Sequence, residues 1–249
     1  MIGAAALQVD RLSVELGGVR VLNSITFSAD SGVLVGVLGP NGGGKSTLFN
    51  AIAGLIAPTE GRVLLHGKPP EDARGALAYV PQREQVNWRF PLTVQDVVTL
   101  GRSRKIGWLR RAGHADREMV RECLERVDMW TRRASLVTEL SGGQRQRVFV
   151  ARALAQEADI LLLDEAFSGV DIASQEGLVT VLRTLRDEGN TIVMATHDLS
   201  QLERRFDQVL CLNRHVCAFG PPRAAFTPAV LEELYGAHGQ VFSDANGGS

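Results

Sequence analysis

The sequence predicts an α/β fold interrupted by a helical insertion, and three observations support this prediction. Uninterrupted apolar runs fit parallel strands that are buried on both faces, and they lie at residues 33–38, 160–163, 191–195 and 209–212. Helical patterns at 175–186 and 199–206 separate the later runs, and such alternation is typical of an α/β sheet. The stretch 91–156 breaks this rhythm, because its patterns are helical and include no strand.

The N-terminal part predicts a different kind of sheet. Apolar and polar residues alternate over 7–27 and again over 63–65, which indicates antiparallel strands with one buried face. We expect turns at Gly17-Gly18 and at Gly61. A helix is expected to begin at Lys45 and to end near Gly54.

Composition and charge argue against a disordered chain, a nucleic-acid-binding protein and a membrane-spanning protein. With 249 residues, 45% of them hydrophobic and 22% charged, the chain can bury a large core. The net charge of −1 gives no argument for a nucleic-acid partner. The apolar runs fall short of the roughly 18 residues that cross a bilayer. The three cysteines lack metal-ligand spacing and are expected to be buried thiols of a cytosolic protein, without a metal or disulfide role: Cys123, Cys211 and Cys217.

One stretch is strongly basic. Residues 83–111 contain seven basic and two acidic side chains. The ordinary interpretation is a solvated arginine-rich face, and the alternative is a surface that meets anionic headgroups or an acidic partner.

A glycine-rich segment follows the first buried run and fits the pattern GxxxxGK[ST]. Backbone N–H groups of such a loop, together with the start of the next helix, wrap a diphosphate. We expect Lys45 to reach the β- and γ-phosphates and the Ser46 hydroxyl to bind Mg²⁺. The predicted binding residues are Gly39, Pro40, Asn41, Gly42, Gly43, Gly44, Lys45, Ser46 and Thr47.

Two further segments carry chemistry. The buried run Ile160–Leu163 ends in Asp164 and Glu165, and paired carboxylates at a buried strand end are costly unless cations neutralise them. Beside a phosphate-binding loop, Asp164 is the expected Mg²⁺ partner and Glu165 is placed to polarise an attacking water.

A second anion site is predicted at the start of a helix. Its residues are Ser141, Gly142, Gly143 and Gln144, with Ser141 as the N-cap. One chain then carries two phosphate-recognising surfaces that are far apart in sequence. We therefore expect one nucleotide to be held between two chains.

Together these motifs resemble the motif set of ABC transporter ATPases, over nearly the whole chain. Walker A lies at 39–47, the LSGGQ signature at 140–144, Walker B at 160–165 and the switch histidine at His197. The resemblance implies a P-loop NTPase fold with a RecA-like core, an N-terminal antiparallel β subdomain and a helical subdomain. It also implies that Gln82 bridges Mg²⁺ to the helical subdomain, that Asp171 belongs to the D-loop and that His197 contacts the γ-phosphate.

The resemblance also implies boundaries and partners. One ABC ATPase domain would span 1–236, with 1–82 and 157–236 as the nucleotide-binding core, 83–156 as the helical subdomain and 237–249 as a flexible tail. ATP and Mg²⁺ are the implied cofactors. The implied assembly is a head-to-tail homodimer on two integral-membrane permease subunits, with an extracytoplasmic substrate-binding protein, at the cytoplasmic side of the cell membrane.

A finer resemblance concerns the transported substrate. The run W-x-F-P-x-T-V at 88–94 is similar to the manganese, zinc and iron uptake subfamily, so a divalent-metal importer is expected. Iron-siderophore and cobalamin ATPases share part of that run and remain an alternative. An exporter with a separate permease and a soluble non-transport ABC ATPase are further alternatives.

Two positions depart from the family pattern. Leu16 stands where the family usually stacks an aromatic residue on adenine, so we expect weaker base selectivity and better tolerance of GTP. Gly43 stands where alanine or serine is frequent, and the chemistry is not expected to suffer.

Overall fold

The computed structural model describes residues 5–73, 75–81, 91–107, 110–164, 172–197, 199 and 202–236. Its strands are β1 (Ala5–Leu16), β2 (Val19–Asp30), β3 (Leu34–Leu38), β4 (Glu60–Leu65), β5 (Leu77–Val80), β6 (Ile160–Leu163), β7 (Thr191–Ala195), β8 (Gln208–Leu212) and β9 (Val216–Gly220). Its helices are α1 (Lys45–Ile52), α2 (Val94–Gly101), α3 (Ser103–Ile106), α4 (His114–Arg126), α5 (Gly142–Ala155), α6 (Ile172–Asp187), α7 (Leu202–Arg205), α8 (Pro222–Ala225) and α9 (Pro228–Tyr235).

Six strands form the central sheet, in the order β5-β6-β7-β3-β8-β9. All neighbours pair in parallel except β8 and β9, which are antiparallel. Strands β3, β6 and β7 are buried along their whole length, as their continuous apolar runs predicted. Because parallel strands point the same way, the loops that follow β3, β6 and β7 leave from one edge of the sheet.

The two faces of the central sheet are covered by different layers. Side chains such as Leu161 and Met194 pack on helices α2, α4, α5 and α6. Their strand neighbours Leu162 and Val193 point to the opposite face, where they pack with α1 and the antiparallel sheet. This double coverage explains why the central strands lack polar alternation.

The antiparallel sheet has the order β2-β1-β4. The expected turn at Gly17-Gly18 is confirmed, with Leu16 facing Val19 across a two-residue hairpin loop. The turn expected at Gly61 is wrong, because Gly61 lies inside β4. A Cβ at Gly61 would come within 2.3 Å of the Arg11 carbonyl oxygen, beside a register shift between β1 and β4. The glycine therefore allows close backbone approach at an irregular pairing.

The helical segment contains α2 to α5 and two short 3-10 turns, Trp130–Arg132 and Val137–Glu139. Its pattern was correctly predicted as helical, whereas the solvated interpretation of the arginine-rich stretch is wrong for Arg102. That side chain is 8% exposed and donates to Asp116 Oδ1 at 3.1 Å and to the Ala155 carbonyl at 3.2 Å. It also pairs with Glu157. Arg102 thus joins the end of α2 to the start of α4 and the end of α5.

None of the helices in the described ranges is long and apolar enough to cross a lipid bilayer.

Candidate functional site

The candidate site lies at the edge of the central sheet where β3, β6 and β7 end. The register pairs Leu163 with Met194 and Val37 with Ala195, so these strands end almost level. The glycine-rich loop follows β3, Asp164 follows β6 and His197 lies two residues after the end of β7. The topology therefore brings together three segments that are far apart in sequence.

The glycine-rich loop is held against the next strand of the sheet. A Cβ at Gly39 would lie 2.0 Å from the Leu212 carbonyl oxygen, at the end of β8. The loop is tied to the β8–β9 turn as well, since the Arg214 N–H donates to the Gly43 carbonyl at 2.8 Å. A Cβ at Gly43 would meet the Pro40 carbonyl oxygen at 3.0 Å, so glycine fits this position closely. Backbone packing thus fixes the shape of the predicted phosphate site.

Lys45 places a positive charge within this loop. Its Nζ donates to the carbonyl oxygens of Gly39 at 2.9 Å and Pro40 at 3.0 Å, and the residue is only 6% exposed. Helix α1 begins at Lys45 after Gly44, which has no side chain to cap the first turn. A buried ammonium and the positive end of a helix therefore lie at the same point, as an anion site requires.

Asp164 supplies a buried carboxylate at the same edge. It is 1% exposed, and the Tyr79 hydroxyl donates to its Oδ2 at 3.4 Å. Burial chiefly, and the charge of Asp164 in addition, raise the pKa of Tyr79, so the phenol stays a proton donor. Sequence reasoning missed Tyr79, although β5 pairing with β6 sets it beside Leu162.

The donor atoms at this edge fit a magnesium ion. The Asp164 carboxylate and the hydroxyl of the half-buried Ser46, in the first turn of α1, are hard oxygen ligands of the kind that Mg²⁺ prefers. A buried carboxylate also needs a nearby cation to offset its desolvation.

The second predicted anion site lies elsewhere, at the start of α5 in the helical segment. Ser141 is its N-cap, and the Ser141 Oγ accepts from the Gln144 N–H at 3.3 Å. The Gln144 side chain returns the interaction by accepting from the Ser141 N–H at 3.0 Å. This capping box orders the first turn, and it leaves the N-cap residue exposed.

The remaining site predictions have different outcomes. His197 is exposed at the shared edge, next to the buried Thr196. Gln82, Glu165 and Asp171 lie outside the described residues, so their roles stay predictions. Within one chain, the glycine-rich loop belongs to the sheet edge and Ser141 to the helical segment.

Comparison with known proteins identifies the family. The family model described as ABC transporter matches residues 22–168, which include the glycine-rich loop, the start of α5 and Asp164. The chain belongs to the ABC transporter family. This result and the α/β architecture confirm the predicted ABC-type ATPase, with its N-terminal antiparallel sheet and inserted helices.

Two relatives of this ABC ATPase match over almost all of their length. The manganese transport system ATP-binding protein MntB of Halalkalibacterium halodurans is 45% identical over 237 residues, covering 95% of this chain and 94% of that protein. The zinc transport system ATP-binding protein TroB of Treponema pallidum is 43% identical, covering 94% of this chain and 88% of that protein. The structure of CbiO1 from Clostridium perfringens, part of the ABC transporter complex CbiONQ, superposes with a TM-score of 0.79 at 27% identity. The match covers 96% of this chain and 99% of that one.

Proposed function

We propose that this chain is the ATP-hydrolysing subunit of an importer for a divalent transition metal, with manganese or zinc as cargo. The observation that carries the proposal is the near-complete match to ATP-binding proteins of a manganese and a zinc transport system. The chain would act on the cytoplasmic side of the cell membrane, through two permease subunits. An extracytoplasmic substrate-binding protein would deliver the metal.

The geometry of the sheet edge supports ATP as the nucleotide that is hydrolysed. The loop at 39–47 would wrap the phosphates, and Lys45 would exchange its carbonyl partners for phosphate oxygens. Ser46 and Asp164 would hold Mg²⁺, which when bound neutralises charge on the phosphates. Glu165 would polarise the attacking water, His197 would contact the γ-phosphate and Gln82 would bridge the Mg²⁺ site to the helical segment.

The separation of the two anion sites supports a head-to-tail dimer. Each ATP would lie between the glycine-rich loop of one copy and Ser141, Gly142, Gly143 and Gln144 of the other. Asp171 would lie at the contact between the copies. Closure of the dimer would exclude water from both sites and make hydrolysis depend on assembly.

Asp164→Asn tests the site chemistry, because it removes the charge while keeping the shape of a side chain that is 1% exposed. We expect Mg²⁺-dependent ATP hydrolysis to fall by about a hundredfold or more. Asp159→Asn is the matched control, since the Asp159 side chain is 53% exposed one residue before β6. Equal hydrolysis by Asp164→Asn and wild type would refute the assignment of Asp164.

Cellular metal content tests the cargo. The gene is deleted, the cells are grown in metal-limited medium, and manganese, zinc and iron are measured together by mass spectrometry. A selective fall in manganese or zinc that is restored by wild type, but not by Glu165→Gln, is the expected result. A fall in iron alone would favour a siderophore importer, and a rise in the metals would favour export. Unchanged metals would refute metal transport.

A further inference from the structure

A cluster of three metal-binding side chains lies outside the nucleotide site. His215 belongs to the turn between β8 and β9, Cys217 lies on β9 and Glu233 lies on α9. The His215 Nε2 is 2.6 Å from Glu233 Oε1 and 3.8 Å from the Cys217 sulfur. The three ligand atoms all lie within 4.8 Å of one another. No spacing in the sequence revealed them, because the fold and not the local chain brings Glu233 to the hairpin.

One separation, between Cys217 and His215, is close to the value that a tetrahedral metal imposes, and a second, between His215 and Glu233, is shorter. Bond lengths of about 2.3 Å to sulfur and 2.1 Å to nitrogen place these two ligand atoms roughly 3.6 Å apart. The observed distance between the Cys217 sulfur and His215 Nε2 is 3.8 Å. The contact between His215 and Glu233 would lengthen from 2.6 Å to about 3.4 Å. Both of these side chains are nearly half exposed, so they can make this adjustment.

We infer that His215, Cys217 and Glu233 form a binding site for a divalent transition metal of zinc-like ligand preference. A thiolate, an imidazole and a carboxylate are the three side-chain ligands that Zn²⁺ takes in proteins, and three of them leave a fourth position open. Mn²⁺ prefers oxygen ligands and stands lowest in the order of divalent affinities, so the site discriminates against it.

The cluster is connected to the glycine-rich loop by backbone hydrogen bonds. The Arg214 N–H, next to His215, donates to the Gly43 carbonyl at 2.8 Å, and the Arg214 carbonyl accepts from the Asn23 N–H at 2.7 Å. Asn213 Nδ2 also donates to the Glu233 carbonyl at 3.4 Å. A metal that joins the turn to α9 would restrict the turn on which the loop rests. We therefore expect metal binding to strengthen nucleotide binding, because it orders the loop in advance.

Cobalt binding to the metal-free full chain, without nucleotide, tests the site directly. Co²⁺ in a site with a thiolate ligand gives an intense near-ultraviolet charge-transfer band, and one equivalent of Zn²⁺ should abolish it. We expect the band in wild type and its loss in Cys217→Ser. His215→Gln and Glu233→Gln should each weaken Zn²⁺ binding by more than about tenfold. An equal concentration of Mn²⁺ should leave the band in place.

His66→Gln is the matched control, because His66 is an exposed histidine that pairs with a carboxylate, Asp159, at 2.7 Å. It should bind Zn²⁺ as wild type does. A wild-type chain without the band, or Cys217→Ser and wild type with equal Zn²⁺ affinity, would show an ordinary ion pair beside a thiol and overturn the site. Unfolding temperatures without metal check that the variants fold.

Nucleotide affinity tests the connection to the loop. With Mg²⁺ in fixed excess, so that Zn²⁺ does not replace it on the nucleotide, Zn²⁺ should tighten ATP binding to wild type by roughly fivefold. In Cys217→Ser it should have no effect at the same concentration. Equal ATP affinity with and without Zn²⁺ would overturn the coupling. These assays involve no permease and no transport, so their failure is distinguishable from failure of the proposed importer function.

Discussion

Gly39 illustrates how one position can control the shape of the nucleotide site. Its would-be Cβ lies 2.0 Å from the Leu212 carbonyl oxygen, whereas a Cβ at Gly42 has no neighbour within 4 Å. Both positions belong to the same loop. The two alanine variants therefore separate backbone crowding from a general change in loop composition.

We expect Gly39→Ala to lower the free energy of unfolding by about 3 kcal/mol or more, because β8 must move away from the loop. Gly42→Ala should cost only about 1 kcal/mol, since its positive φ of 77° is strained but its surroundings are open. Urea unfolding of both variants measures the difference. Similar losses in the two variants would contradict the argument from crowding.

Leu16 gives a prediction about the nucleotide base. It is 43% exposed at the hairpin end of β1, opposite Val19. Leu16→Tyr would add an aromatic stacking surface worth about 1 kcal/mol, which is roughly a fivefold gain in ATP affinity, and we expect the ratio of ATP to GTP affinity to rise. Competition binding measures this ratio, with Leu55→Tyr as the control because Leu55 is another exposed leucine. An unchanged ratio in Leu16→Tyr would refute the role of this position.

Individual residues differ in how far they could be predicted. Lys45 and Asp164 could be proposed from the sequence because each stands in a motif whose spacing suits phosphate chemistry, and their roles stay predictions. Arg102 and Tyr79 were missed, since their partners Asp116 and Asp164 lie 14 and 85 residues away. Only the packed fold shows that Arg102 is buried and that Tyr79 is partly buried.

Two helices in the helical segment begin with the same capping arrangement. Helix α5 has Ser141 with Gln144, and α2 has Thr93 with Asp96. Ser141→Ala and Thr93→Ala should each cost about 1 kcal/mol of stability. ATP hydrolysis should fall in Ser141→Ala alone, because only that helix start would face a nucleotide in the dimer. Unfolding and ATPase assays on both variants test this prediction. Equal loss of hydrolysis in the two variants would show that Ser141 has a purely structural role.

Buried strands and long helices could be predicted from the sequence, because they have clear hydrophobic patterns. Continuous apolar runs located β3, β6, β7 and β8, and helical patterns located α6 and the stretch 91–156 that contains α2 to α5. Strand β9 escaped prediction because it is only partly buried along its length and thus lacks a clear pattern. The glycine in β4 was misread as a turn, since the sequence does not show the irregular pairing with β1 that requires it.

The arrangement of the two anion sites predicts how copies of the chain assemble. Lys45 and Ser141 lie in different parts of the fold, so the proposed head-to-tail dimer would use both sites twice. Glu165→Gln should bind ATP without hydrolysing it and accumulate as a dimer in light scattering. Lys45→Ala should stay monomeric under the same conditions, because the loop loses the charge that holds the phosphates.

Wild-type hydrolysis should rise with the square of protein concentration while monomers dominate. A Glu165→Gln variant that remains monomeric with ATP and Mg²⁺, or hydrolyses ATP at the wild-type rate, would contradict both the dimer and the assigned role of Glu165.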